Sequence, residues 1–130
     1  MFQIQESKTV PRVVHFEIPV DKPDRAIKFY SDVFGWKIQK WGTQDYWLIE
    51  TGEKTQPGID GALTRREAPT TATANTIQVP NLEDCLEQIS KNGGKVLSSK
   101  NTIPGIGYFA YCEDTEGNAF GVLQGDESAK

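Results

Sequence analysis

The sequence predicts one α+β domain made of two tandem β-α-β-β-β modules. Three observations carry that prediction. A strand, a helix and three further strands can be read off the hydrophobic pattern in order. The same order then starts again after a short stretch of small residues. Both helical segments stop at glycine, at Gly35 and at Gly93-Gly94. A chain of 130 residues with 37% hydrophobic and 25% charged residues suits a single soluble domain with its own core.

Residues 1–11 are mixed in character and are expected to form an N-terminal arm. The first strand follows, where Val14, Phe16, Ile18 and Val20 alternate with His15, Glu17 and Pro19. Asp21 is placed to cap a helix with Pro23 in its first turn. Ala26, Phe29, Tyr30 and Val33 give that helix its apolar face. Strands are expected at Trp36–Trp41, Asp45–Glu50 and Ile59–Arg65. Module one thus spans about residues 12–66, and the small, polar stretch 67–73 is read as a linker.

Module two, 74–124, opens with a strand at Asn75–Val79. Asn81 can cap a helix that carries Leu82, Cys85, Leu86 and Ile89 on one face. Strands at Lys95–Ser99, Gly107–Cys112 and Ala119–Gln124 complete it, and residues 125–130 read as a flexible tail. An offset of 59 residues lays His15 on Ala74, Ile18 on Ile77 and Gly35 on Gly94. With small loop shifts, Tyr46-Trp47 falls on Tyr108-Phe109, and Gly61-Ala62-Leu63 on Gly121-Val122-Leu123.

Charge excludes some partners. The net charge is −4 and the pI about 5.0, with Arg65-Arg66 as the one adjacent basic pair. Neither nucleic acid nor an anionic membrane surface is an expected partner. No apolar run approaches a bilayer span, and Met1–Pro11 holds no apolar core of signal-peptide length, so a cytoplasmic location is expected. Cys85 and Cys112 form no CxxC and are read as free thiols, Cys85 on the apolar helix face.

The run His15-Phe-Glu-Ile-Pro-Val-Asp, then Ala26-Ile-Lys-Phe-Tyr-Ser-Asp-Val-Phe-Gly-Trp36, resembles the opening of vicinal-oxygen-chelate (VOC) proteins. That superfamily includes glyoxalase I, bleomycin-resistance proteins, fosfomycin-resistance enzymes and extradiol dioxygenases. Asp114-Thr-Glu-Gly-Asn-Ala-Phe-Gly121 is similar to the hairpin before the family's final strand, and Ile103-Pro-Gly-Ile-Gly-Tyr108 to a loop of its glyoxalase-related branch. The resemblance implies a cupped half-barrel sheet, a ligand held in the cup, and a homodimer.

It also implies, for the family's enzymes, a divalent metal such as zinc, nickel, manganese or iron. Its ligands are His, Glu or Gln from the first and last strands of each module, and the metal acts as a Lewis acid. In this chain those positions fall on His15, near Gly61, on Ala74 and near Gly121. His15 is the sole histidine, and of those four positions it alone can ligate through a side chain. The expectation is therefore a small-molecule binder without the usual cofactor. The alternatives are a glyoxalase-like lyase, isomerase or dioxygenase using His15, and a metabolite-sensing accessory domain. His15 and Glu17 are the candidate catalytic or anchoring pair, sharing one strand face. Tyr46, Trp47, Gly61, Tyr108, Tyr111 and Gly121 are the candidate ligand-binding residues. Glu50, Asp60 and Glu113 are carboxylates that could approach, and the aromatics fit core packing equally well.

Overall fold

The structure is a computed structural model that describes residues 11–130, so the expected arm lies outside the described residues apart from Pro11. The first module holds β1 (Arg12–Val20), α1 (Pro23–Phe34), β2 (Lys37–Lys40), β3 (Tyr46–Glu50) and β4 (Asp60–Arg65). The second holds β5 (Ala74–Gln78), α2 (Leu82–Lys91), β6 (Lys95–Val96), β7 (Asn101–Ile103), β8 (Gly107–Glu113) and β9 (Ala119–Gly125). One mixed sheet runs β2-β3-β4-β1-β5-β9-β8-β6, with β7 added on β8. It curls into the cupped half-barrel that the resemblance implies, with an α+β make-up as expected.

The two modules join inside the chain, because β1 pairs antiparallel with β5. Each first strand also pairs in parallel with the last strand of its own module, β1 with β4 and β5 with β9. These four strands form the middle of the sheet, and both helices cover one of its faces. Phe16, Ile18 and Val20 of β1 pack with Trp47, Ile49 and Leu63 beneath α1. Ile77, Val79, Ala110, Cys112 and Val122 pack beneath Leu82, Leu86 and Ile89 of α2. Strand alternation sends the residues between them to the opposite, concave face.

Local chemistry explains most element ends. Gly35 takes φ 73 and donates its N–H to the Ser31 carbonyl, closing α1. Asn81 accepts the Asp84 N–H at 2.9 Å and starts α2 as expected. Asp21 does not cap α1. Lys22 is the cap residue, with no side-chain bond, and the Asp21 carboxylate pairs with Arg66 at 3.1 Å. Arg66 also donates to the Thr71 and Pro19 carbonyls, so it fastens the linker to the end of β1. In the β8–β9 turn, Asp114 accepts the N–H groups of Glu116 and Asn118, and Gly117 sits at φ 83.

Two further segments differ from the sequence reading. The strand expected over 95–99 is paired through Lys95–Val96, and a separate short strand forms at Asn101–Ile103. The segment expected to fray is tied back: Asp126 donates to the Ile106 carbonyl, Gly105 donates to the Ala129 carbonyl, and Ala129 is buried.

Gly61 has a packing role. A Cβ there would meet both the Phe16 ring and the Phe16 carbonyl at 2.5 Å. Gly61→Ala is expected to cost about 1–3 kcal/mol of stability. Adding Phe16→Leu should not restore it, since the backbone oxygen remains. Urea unfolding of both variants measures this.

Candidate functional site

The site is built on the concave face from residues that alternate with the core. Cross-strand register places Asp60, His15, Thr76, Gly121 and Tyr111 in one row across β4, β1, β5, β9 and β8. Glu17 stands two residues along β1 from His15, beside Ala62 and Ala74. Glu17 is 4% exposed and His15 1%. A carboxylate so buried needs donors. Tyr46 gives its O–H to Glu17 Oε2 at 2.8 Å, and Tyr111 gives its own to Oε1 at 2.6 Å. His15 Nε2 lies 2.8 Å from the Tyr46 oxygen. Since Tyr46 spends its proton on Glu17, Nε2 is the nitrogen that carries hydrogen in this contact.

Tyr111 and Glu17 meet across the cup. Their strands are separated by β9 and β5, three spacings of about 4.8 Å along the sheet. The curl brings their side chains together over the small residues Gly121, Thr76 and Ala74. The bond thus links the second module's β8 to the first module's β1.

Burial sets the protonation of the group. It lowers the His15 pKa from 6.5 to about 4, so the ring is neutral near pH 7. It raises the Glu17 pKa above 4.5, against the opposing pull of the Tyr111 and Tyr46 hydrogen bonds. Both phenols are held above their ordinary value, first by burial and then by the adjacent Glu17 charge.

Of the sequence-derived candidates, His15, Glu17, Tyr46 and Tyr111 converge here. The others are placed differently. Trp47 faces the helix side in the α1 core, with Lys40 and Arg65 over its ring. Tyr108 packs against the α2 core with the Lys100 ammonium 4.8 Å from its ring centre. Gly61 lies on the helix side beneath Phe16 and does not open the cup. Laying Gly61 on Gly121 is an even offset, and an odd one is needed to keep strand faces matched. Gly121 does face the cup, but the Phe109 ring covers it: a Cβ would meet that ring at 2.5 Å. Thr76 and Gln78, both buried on the concave face, were not singled out from the sequence. Their alternation with Asn75 and Ile77 is the signal that could have found them.

The family's metal ligands do not all have counterparts. The concave positions of β9 are Ala119, Gly121 and Leu123, which offer no donor side chain. Asp60 already accepts the N–H and hydroxyl of Thr51 at 2.9 and 3.2 Å. Among the described residues no three His, Cys, Asp or Glu side chains are grouped to hold a metal ion. This donor set does not fit the family's metal centre. Cys85 and Cys112 are free thiols of the α2-side cluster, and burial pushes Cys112 up to about 11.

A curled sheet of two paired β-α-β-β-β modules, with its polar group inside the cup, defines a glyoxalase-like VOC domain. The chain belongs to the Glyoxalase/Bleomycin resistance protein/Dioxygenase superfamily, whose model matches residues 12–122. A glyoxylase-like domain-containing protein of Didymella fabae is 35% identical over 112 residues, which are 82% of this chain and 88% of that protein. Among solved structures, a superfamily member from Vibrio splendidus 12B01 superposes with TM-score 0.64 at 15% identity, over 88% of this chain and 98% of that one. Methylmalonyl-CoA epimerase from Mycobacterium tuberculosis gives TM-score 0.61 at 14% identity, over 88% and 87%. At such identities these two structures share the fold.

Tyr111→Phe leaves Glu17 with one phenol donor and should cost about 1.5–3 kcal/mol, measured by urea unfolding near pH 7. The pH dependence has a definite sign. The unfolded chain protonates His15 at 6.5 and the folded chain at about 4, so its share of stability is complete above 6.5 and lost toward 4. That share is about 3 kcal/mol. Glu17 acts oppositely, favouring the folded state below 4.5 and losing that contribution as pH rises through its raised pKa. His15→Gln should therefore flatten the fall in stability between pH 6.5 and 4.

Proposed function

We propose that this domain binds a small organic molecule in the cup between its modules, and does so without the metal of the family's enzymes. The observation that carries the reading is the buried Glu17 carboxylate, which takes a phenol from each module on the concave face. Tyr46 and Tyr111 both direct their protons at Glu17, so the carboxylate and phenol oxygens offer a ligand acceptor lone pairs. A neutral or cationic molecule that brings its own N–H or O–H donors suits that lining, and the rings supply flat apolar contact.

A second reading, a lyase or isomerase, rests on the raised Glu17 pKa. A carboxyl that holds its proton more tightly than usual is suited to exchanging protons with a substrate. The Mycobacterium tuberculosis epimerase shares the fold and is the kind of enzyme to compare.

Metal content tests the first reading directly. Protein prepared without a His-tag is incubated separately with nickel, zinc, manganese and ferrous iron, desalted and assayed by mass spectrometry. The expected outcome is no stoichiometric metal. About one metal per chain, lost in His15→Ala, would overturn the metal-free reading and favour the lyase one. Ligand preference is then read by thermal shift with matched planar amines and carboxylates. Amines should raise the midpoint of the wild type more than carboxylates do, and Glu17→Gln should remove the difference.

A further inference from the structure

We propose that a cleft on the helix side of the sheet, between α1 and the end of β1, binds a small organic phosphate with a flat apolar body. This site is separate from the cup, and it does not rest on the function proposed for that face. The cleft has a volume of about 350 Å³, at the small end of the roughly 300–1,000 Å³ usual for small-molecule sites. Its floor is apolar, where Ile18 and Val20 of β1 meet Ala26 and Tyr30 of α1. Tyr30 is held by stacking on Trp36 at 5.2 Å. Phe29 meets Tyr30 edge-on at 5.2 Å and is 54% exposed, so one lining ring remains open to solvent.

Charge selects the ligand. Lys22, Arg25 and Arg66 line the cleft against one carboxylate, Asp21, in a chain whose net charge is −4. The adjacent basic pair of the sequence divides here. Arg65 turns to Asp45 and the Trp47 ring, and Arg66 alone reaches the cleft. Arg66 already holds Asp21 at 3.1 Å and donates to the Thr71 and Pro19 carbonyls, so its guanidinium is fixed in the wall. Lys22 and Arg25 enter no ion pair among the described residues. Asp24 belongs to the same helical turn but does not line the cleft.

Two cations without a partner, beside a third that is fixed, suit a dianion. A phosphate monoester carries about −1.5 to −2 at pH 7. Arg25 offers a planar fork for its oxygens, and Lys22 a point charge. Lys22, Arg25, Ala26 and Phe29 recur at spacings of three and four, so one face of the helix presents cations and apolar groups together. With its phosphate on Lys22 and Arg25, a flat ester group lies along Tyr30 and Phe29. The rim is open to solvent, so binding is weak and falls with added salt.

Titration of the full chain with phenyl phosphate at low salt, followed by backbone amide NMR shifts, tests the proposal. Saturable shifts should centre on residues 18–30 and 66. Phenyl phosphate should bind about fivefold or more tightly than inorganic phosphate, because the ring adds apolar contact. Arg25→Glu should weaken phenyl phosphate by about tenfold or more, and Lys22→Gln by severalfold. Phe29→Ala should weaken phenyl phosphate and leave inorganic phosphate unchanged. All three side chains are exposed, and the amide spectrum reports the fold of each variant. Shifts that fail to saturate by about 10 mM ligand would overturn the proposal. So would shifts centred on Tyr46 and Tyr111, equal affinity for the two phosphates, or an Arg25→Glu variant that binds as well as the wild type.

Discussion

The hydrogen bond from Tyr111 to Glu17 is the contact on which the arrangement of the cup depends. A carboxylate at 4% exposure is costly without donors, and no neighbour on its own strand supplies one. The donors come from β3 on one side and β8 on the other. A flat sheet would hold β8 about 14 Å from β1. Curl, module pairing and satisfaction of Glu17 are thus one condition seen three ways. The small residues at 74, 76 and 121 are part of it, since bulky side chains there would block the line between Tyr111 and Glu17.

The side chains of the cup bear on the metal-free reading proposed for it. A metal centre of the family's kind needs several donor side chains gathered round one point. Here Asp60 is engaged with Thr51, β9 offers no donor side chain, and His15 is the one histidine of the chain. The polar group sits on the concave face of the sheet. The phenols and carboxylate of the cup are joined by hydrogen bonds.

The two modules are unequal in detail. Module one carries the histidine, the carboxylate and an aromatic helix whose outer face is uncovered. Module two carries Tyr111, a well-capped helix with Leu82 fully buried, and a tail folded back on its own loop. Large apolar side chains are exposed on both, Phe29, Val33 and Phe34 on the first module and Val96 and Leu97 on the second.

Much of the fold was legible from sequence because local patterns report local structure. Alternation at 13–20, the glycine at 35, the asparagine at 81 and the turn at 114–118 each specify their element through short-range chemistry. His15 and Glu17 could be paired because a strand's period of two is fixed by its backbone. What the sequence left open was register. Whether Gly61 or Asp60 faces the cup depends on a single residue of slip, which pairing with β1 decides. Trp47 and Tyr108 read like Tyr46 and Tyr111 until strand pairing sorts them to opposite faces. The meeting of Tyr46, Tyr111 and Glu17 over separations of 29 and 94 residues belongs to tertiary structure alone. Only the curl of the completed sheet brings such distant positions within hydrogen-bonding reach.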